Sequence, residues 1–201
     1  MNDFEVYKDT ISREHAQTVI NLTDYNDRDN FFLDFEFLSG VNQDIWQKYN
    51  ICERYKTRNR RDAENNPYPH NYDAFDLLAE QLKPVWDKVN ADRNVDLHIE
   101  NCWGIDLVFY SPNTILTPHV DGFDTVLITC LESRNIVDEE GNLLLWQQDE
   151  SSLNKIITEF PDNTDYKHSL HLEQGDTLWI DDKDFYHALT PITQGVRVTA
   201  I

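Results

Sequence analysis

The sequence predicts an α+β fold, with helices in the N-terminal half and a C-terminal β core built as a sandwich or barrel. Three observations predict it. Before residue 97, apolar residues recur at three- and four-residue intervals, the spacing of amphipathic helices. After residue 97, short extended runs alternate with turn signals. The 201 residues include five Trp, nine Tyr and ten Phe, enough bulky apolar material for one core.

Asp9-Thr10-Ile11-Ser12 offers caps for a first helix that carries Glu14, Ala16, Val19, Ile20 and Leu22. A second helix starts near Tyr72 and carries Phe75, Leu77, Leu78, Leu82, Val85, Trp86 and Val89. Pro84 lies inside it and is expected to kink or divide it. Strands are expected at 97–103, 105–110, 125–131, 142–147, 169–172, 177–180, 187–191 and 196–201. Turn signals separate several of them, among them Ser111-Pro112-Asn113, Glu140-Gly141-Asn142, Gln174-Gly175-Asp176 and Thr193-Gln194-Gly195. The expected organisation is one domain over 1–201, with 1–96 a mainly helical flank and 97–201 the β core.

Two segments fit neither half. Residues 53–62 hold five bases and two acids, and read either as a solvated loop or as a lid that contacts substrate. Residues 148–165 are polar and acidic and read as an irregular excursion with one short helical turn.

Thirty-seven acids against 17 bases give a formal charge of −20. That sign repels phosphate, which disfavours nucleic acid and anionic membranes as partners. No apolar run reaches the ~18 residues of a membrane helix, and the first residues lack the basic and apolar regions of a signal peptide. A cytoplasmic location is therefore expected. Cys52, Cys102 and Cys130 are too few and too scattered for a disulfide framework and read as free thiols.

The chemistry concentrates in two stretches. In Thr117-Pro118-His119-Val120-Asp121-Gly122, His119 and Asp121 are two residues apart, so an extended segment puts imidazole and carboxylate on one face. Alone, that spacing is common. Further on come His187 and, ten residues later, Arg197, with Gly195 at a turn between two strand-like runs. A hairpin there would bring the guanidinium near a metal held by His187. Two His and one carboxylate on one side of a metal make a facial triad with open positions, the ligand set of non-haem Fe(II). Arg197 offers a bidentate partner for a carboxylate, and Thr199 shares its face. Singly, each has a plainer reading: a hydrogen-bonded strand His, a surface ion pair, an edge aromatic for Tyr110. His168 and His171, three apart, face opposite sides of a strand and read as structural. Trp103, Trp146 and Trp179 read as core residues, with the lining of a substrate channel as the alternative for any of them.

With these residues in hand, the sequence resembles the 2-oxoglutarate- and Fe(II)-dependent dioxygenases, and among them the prolyl 4-hydroxylase-like branch. The resemblance covers about residues 105–201. It rests on His119-x-Asp121, a gap of 68 residues, His187, and Arg197. It implies a double-stranded β-helix (jelly-roll) core with flanking N-terminal helices. It implies that His119, Asp121 and His187 bind iron, that Arg197 pairs with the distal carboxylate of 2-oxoglutarate with help from Thr199, and that Tyr110 lies near that co-substrate. No catalytic residue beyond the metal ligands is implied. The cofactors implied are Fe(II), 2-oxoglutarate and O₂, with ascorbate a further candidate. The reaction implied is hydroxylation of an unactivated C–H, first of all in a prolyl residue of a peptide or protein, with 2-oxoglutarate converted to succinate. Hydroxylation of a small metabolite, free amino acid or nucleobase is the alternative. A non-catalytic, cupin-like metal- or ligand-binding module is another. Collagen-type relatives that use Lys where this sequence has Arg197 leave the sub-branch open.

Overall fold

Ser12 starts the first helix by accepting a hydrogen bond from the His15 N–H, which satisfies one of the orphan donors of the first turn. The computed structural model describes residues 3–22, 31–33, 48–56, 72–93, 105–137, 140–148, 153–162, 165–181 and 183–201. In sequence order the elements are β1 (Phe4–Tyr7), α1 (Arg13–Asn21), β2 (Phe31–Leu33), β3 (Asn50–Ile51), β4 (Glu53–Lys56) and α2 (Tyr72–Arg93). They continue with β5 (Asp106–Tyr110), β6 (Thr114–His119), β7 (Val126–Arg134), β8 (Leu143–Gln147), α3 (Leu153–Glu159), β9 (His168–Leu170), β10 (Thr177–Ile180), β11 (Phe185–Ile192) and β12 (Val196–Ala200).

The strands form two sheets. The larger runs β1-β10-β7-β12-β5-β4-β2, the smaller β3-β6-β11-β8-β9. The pairs are antiparallel apart from β3 with β6. Two antiparallel sheets packed face to face are the jelly roll that the sequence led us to expect.

Side-chain alternation sorts each strand between two environments. Val108, Tyr110, Ile128, Cys130, Leu143, Leu145, Leu178 and Ile180 turn inward and form the core between the sheets. Their neighbours Leu107, Leu131, Val198 and Ala200 turn outward and are covered by Ala16, Val19 and Ile20 of α1 and by Leu78 and Leu82 of α2. Leu144, Trp146 and Tyr186 on the outside of the smaller sheet are covered by Ile156 of α3 and by Phe160. Trp146 and Trp179 are buried, as expected; Trp103 lies outside the described residues.

Several expectations need correction. Besides its two helices, the first half contributes four strands among the described residues: β1, β2 and β4 join the larger sheet and β3 the smaller. Residues 53–56 are a strand, not a loop, and the rest of 53–62 lies outside the described residues, as does the expected strand at 97–103. Pro84 does not divide α2, because buried Leu78 and Leu82 before it and Val85 and Val89 after it hold one continuous helix on the sheet. The acidic excursion holds a seven-residue helix, α3. Strand β6 was not foreseen, since Pro118 argues against a strand. Its parallel partner β3 pairs with Thr114 and Ile115, so Pro118 lies beyond the end of that ladder.

Candidate metal centre

Strand β6 ends at His119, and β11 pairs with it so that His187 lies directly opposite His119. Both imidazoles turn inward, with ring centroids 4.3 Å apart. Asp121 follows two residues later, just past the end of β6. Its Oδ2 lies 3.3 Å from His187 Nε2 and its Oδ1 3.8 Å from His119 Nε2. One ligand atom from each of the three residues falls within 4.8 Å of the others. The three residues expected to converge do so.

His119 Nδ1 is 2.7 Å from the Thr117 carbonyl oxygen. That contact requires the proton on Nδ1 and leaves the Nε2 lone pair facing Asp121. Burial, followed by the neighbouring His187, pushes the His119 pKa down to about 3, so the ring is neutral. Burial works against ionisation of Asp121, but its hydrogen bond with His187 and the charges of both imidazoles and Arg54 outweigh it and hold the carboxyl well below its usual range. A neutral imidazole lone pair and an ionised carboxylate aimed at each other at 3.8 Å are the donors a divalent cation requires. Two nitrogens and one oxygen suit iron among the biological metals. The residues present fit the metal.

Arg197 and Thr199 are buried on β12. Tyr110 is the cross-strand partner of Arg197, and Val108 that of Thr199, so all four share the inner face. The hairpin expected between His187 and Arg197 does not form. β11 and β12 belong to different sheets, and the turn at 193–195 leads across the sandwich. Packing of one sheet on the other, not local pairing, brings residue 197 inside. Its guanidinium donates to the carbonyl oxygens of Gly141 and, at 3.2 Å, Leu172. Burial pushes the Tyr110 phenol far up, so it remains a hydrogen-bond donor. The Thr199 hydroxyl approaches that phenol without completing a well-formed hydrogen bond.

Sequence reasoning missed Arg54. It is 6% exposed and turns inward from β4 beside Val108. A basic residue in a +3 stretch carries the pattern of a solvated loop, and only strand pairing reveals its direction.

Residues 111–199 match the family model of the 2OG-Fe dioxygenases, a segment that contains five of the six expected site residues. No curated protein matches the sequence at a significant level. Among solved structures, a viral collagen prolyl hydroxylase from Paramecium Bursaria Chlorella virus-1, in complex with 2-oxoglutarate, is 14% identical with a TM-score of 0.58 over 99% of this chain and 93% of that one. A prolyl hydroxylase from Trichoplax adhaerens, in complex with a hypoxia inducible factor peptide fragment, is 13% identical with a TM-score of 0.61 over 100% and 82%. HygX from Streptomyces hygroscopicus, with nickel, 2-oxoglutarate and hygromycin B bound, is 11% identical with a TM-score of 0.59 over 98% and 80%.

The segment 111–199, which carries the His-Asp-His cluster, is thus similar to the 2OG-Fe dioxygenases. The fold is one that the viral and Trichoplax prolyl hydroxylases share. Proteins of this family use Fe(II), 2-oxoglutarate and O₂.

Proposed function

We propose that this protein hydroxylates an unactivated C–H, with His119, Asp121 and His187 holding the iron. The observation that carries the reading is the convergence of these three buried side chains from two strands and a loop. When bound, the iron activates O₂ for oxidation of the substrate as 2-oxoglutarate is converted to succinate. The protein's own residues fix the geometry. Thr117 holds the His119 ring in the tautomer that exposes Nε2. Asp121 neutralises part of the metal charge. Arg197, oriented by two backbone carbonyls, meets the distal carboxylate of 2-oxoglutarate together with Thr199. Tyr110 donates a hydrogen bond toward the same molecule. The apolar sandwich wall, with Leu145 opposite His187, excludes water from the reacting atoms. No general base is assigned, because removal of a hydrogen atom needs none.

The substrate in this reading is a prolyl residue or a small molecule. Prolyl hydroxylation is supported by the shared fold, and small-molecule chemistry by HygX with hygromycin B bound. Strands from both halves of the sequence share each sheet, which supports one domain over 1–201. No helix among the described residues is long and apolar enough to cross a membrane, and we place the protein in the cytoplasm.

Anaerobic addition of Fe(II) and 2-oxoglutarate tests the site. The wild-type protein should give a visible charge-transfer band. His119→Ala and Asp121→Ala should abolish it, while Arg197→Ala should retain metal and need at least tenfold more 2-oxoglutarate. A wild type without the band, or identical to His119→Ala, refutes the iron site and favours a non-catalytic binding module.

A further inference from the structure

Arg197 is held in place by the turn that precedes β8. Its guanidinium donates to the carbonyl oxygens of Gly141 and, at 3.2 Å, Leu172, and its Nε–H has no hydrogen-bond partner among the described residues. A guanidinium carries five N–H donors, so the two carbonyls aim the fork and leave donors for a ligand. Whatever fixes the carbonyls therefore decides where the fork points. Gly141 has a φ of +63°, and a Cβ there would lie 3.3 Å from Arg197 Nη1 and 3.4 Å from Ile192 Cγ1. The backbone of the turn thus lies against the guanidinium with no room between them.

That turn is tied to the end of β11 on both sides of Gly141. On one side, both oxygens of the Glu140 carboxylate accept from Thr193: Oε2 from the backbone N–H at 2.9 Å and Oε1 from the hydroxyl at 2.5 Å. On the other, the Asn142 N–H donates to the Thr190 hydroxyl at 2.8 Å and the Thr190 N–H to the Asn142 carbonyl at 2.9 Å. Asn142 Oδ1 also lies 3.0 Å from Nδ1 of His171, the neighbour of the Leu172 that supplies the second carbonyl. Thr190 and Asn142 continue the β8–β11 ladder by one step. Glu140 is different, because it lies outside the strands and makes its contact with a side chain. A carboxylate that takes two donors forms charge-assisted bonds, roughly twice as strong as neutral ones. Thr193 opens the short link to β12, on which Arg197 lies.

We infer that Glu140 is a positioning residue for the co-substrate. By clasping the start of the β11–β12 link, it sets the Gly141 carbonyl against the Arg197 guanidinium and so the direction in which the remaining donors face. The inference rests on the reading of Arg197 given above and adds to it a residue that acts through Arg197 and not on the ligand. Without the clasp, Arg197 stays buried and charged but its fork can turn. A carboxylate recognised through two parallel bonds loses most from such misdirection. The effect is confined to the end of 2-oxoglutarate that carries the distal carboxylate.

Isothermal titration of the Mn(II)-loaded protein, without oxygen, tests it. The probes are 2-oxoglutarate and 2-oxopentanoate, in which a methyl group replaces the distal carboxylate. Wild-type protein should bind 2-oxoglutarate at least tenfold more tightly than 2-oxopentanoate. Glu140→Ala should weaken 2-oxoglutarate at least fivefold, while the affinities for 2-oxopentanoate and Mn(II) change less than twofold. Glu140→Gln can make both contacts with Thr193 without the charge and should recover most of the loss. Thr193→Val, which deletes the hydroxyl alone, should give a smaller loss with the same selectivity. Added to Glu140→Ala, it should cost nothing further. Unchanged or tighter 2-oxoglutarate binding in Glu140→Ala overturns the inference. So does equal weakening of the two probes, which would mark a merely structural role. Thr193→Val carries the same comparison should Glu140→Ala fail to fold. A wild type that does not prefer 2-oxoglutarate sinks the reading of Arg197 and this inference with it; a preference that the variants leave intact sinks this inference alone.

Discussion

His119 is held neutral by its surroundings. Its ring is buried, its Nδ1–H goes to the Thr117 carbonyl, and its pKa falls from 6.5 to about 3. The unfolded protein binds a proton on this residue near pH 6.5, and the folded protein resists it until about pH 3. Between those values the unfolded state holds more protons, so stability is present above the upper value and is lost as pH falls. The loss is at most about 1.4 kcal/mol per pH unit for one proton. Asp121 adds to it at lower pH, because its carboxylate is also stabilised in the folded state. Urea midpoints of metal-free protein between pH 7 and 4.5 should fall, and fall less steeply in His119→Gln. An equal slope in the two proteins would show that burial of this ring is not the cause. His119 and Asp121 were legible in the sequence because a two-residue spacing fixes a shared face in any extended segment. Arg54 was not legible, because alternation tells which residues share a face and only pairing tells which face is inside.

The link between β11 and β12 crosses from one sheet to the other within three residues, and Gly195 makes that possible. Its φ is +86°, and a Cβ there would lie 2.4 Å from the Arg134 carbonyl oxygen and 2.5 Å from that of Asn135. Both obstacles are backbone and cannot turn aside. Gly195→Ala should cost about 1–3 kcal/mol. The displaced turn also carries Arg197, so the same variant should weaken 2-oxoglutarate binding. Thermal unfolding and a 2-oxoglutarate titration of the variant check both effects, and unchanged values would mean the turn relaxes freely. Strands after residue 105 were legible from alternation and turn residues. Strand β6 was obscured by Pro118, and β2, β3 and β4 are segments of two to four residues, too short to show alternation of their own.

The whole molecule carries a charge of −20, with acids spread over a surface that few bases neutralise. Self-repulsion of that size opposes the compact state and is screened by salt. Raising NaCl from 20 to 200 mM at pH 7 should lift the melting temperature by a few degrees. A flat or falling response would indicate that local ion pairs, such as Lys8 with Asp176 at 2.6 Å, outweigh the general repulsion. Composition made this balance plain from the outset. The pairing of first-half strands into both sheets was not plain, since contacts between residues far apart in the sequence leave no local pattern.

Strand β1 closes one border of the larger sheet by covering β10, and Lys8 and Thr10 tie the following segment to Asp176, Gly175 and Thr177. A protein trimmed through Tyr7 would bare the backbone of β10 along four residues with no bulge or proline to blunt it. Such a rim invites a second molecule to zip on. The opening residues thus serve as a selvedge, keeping the fabric of the sheet from being sewn onto its neighbour.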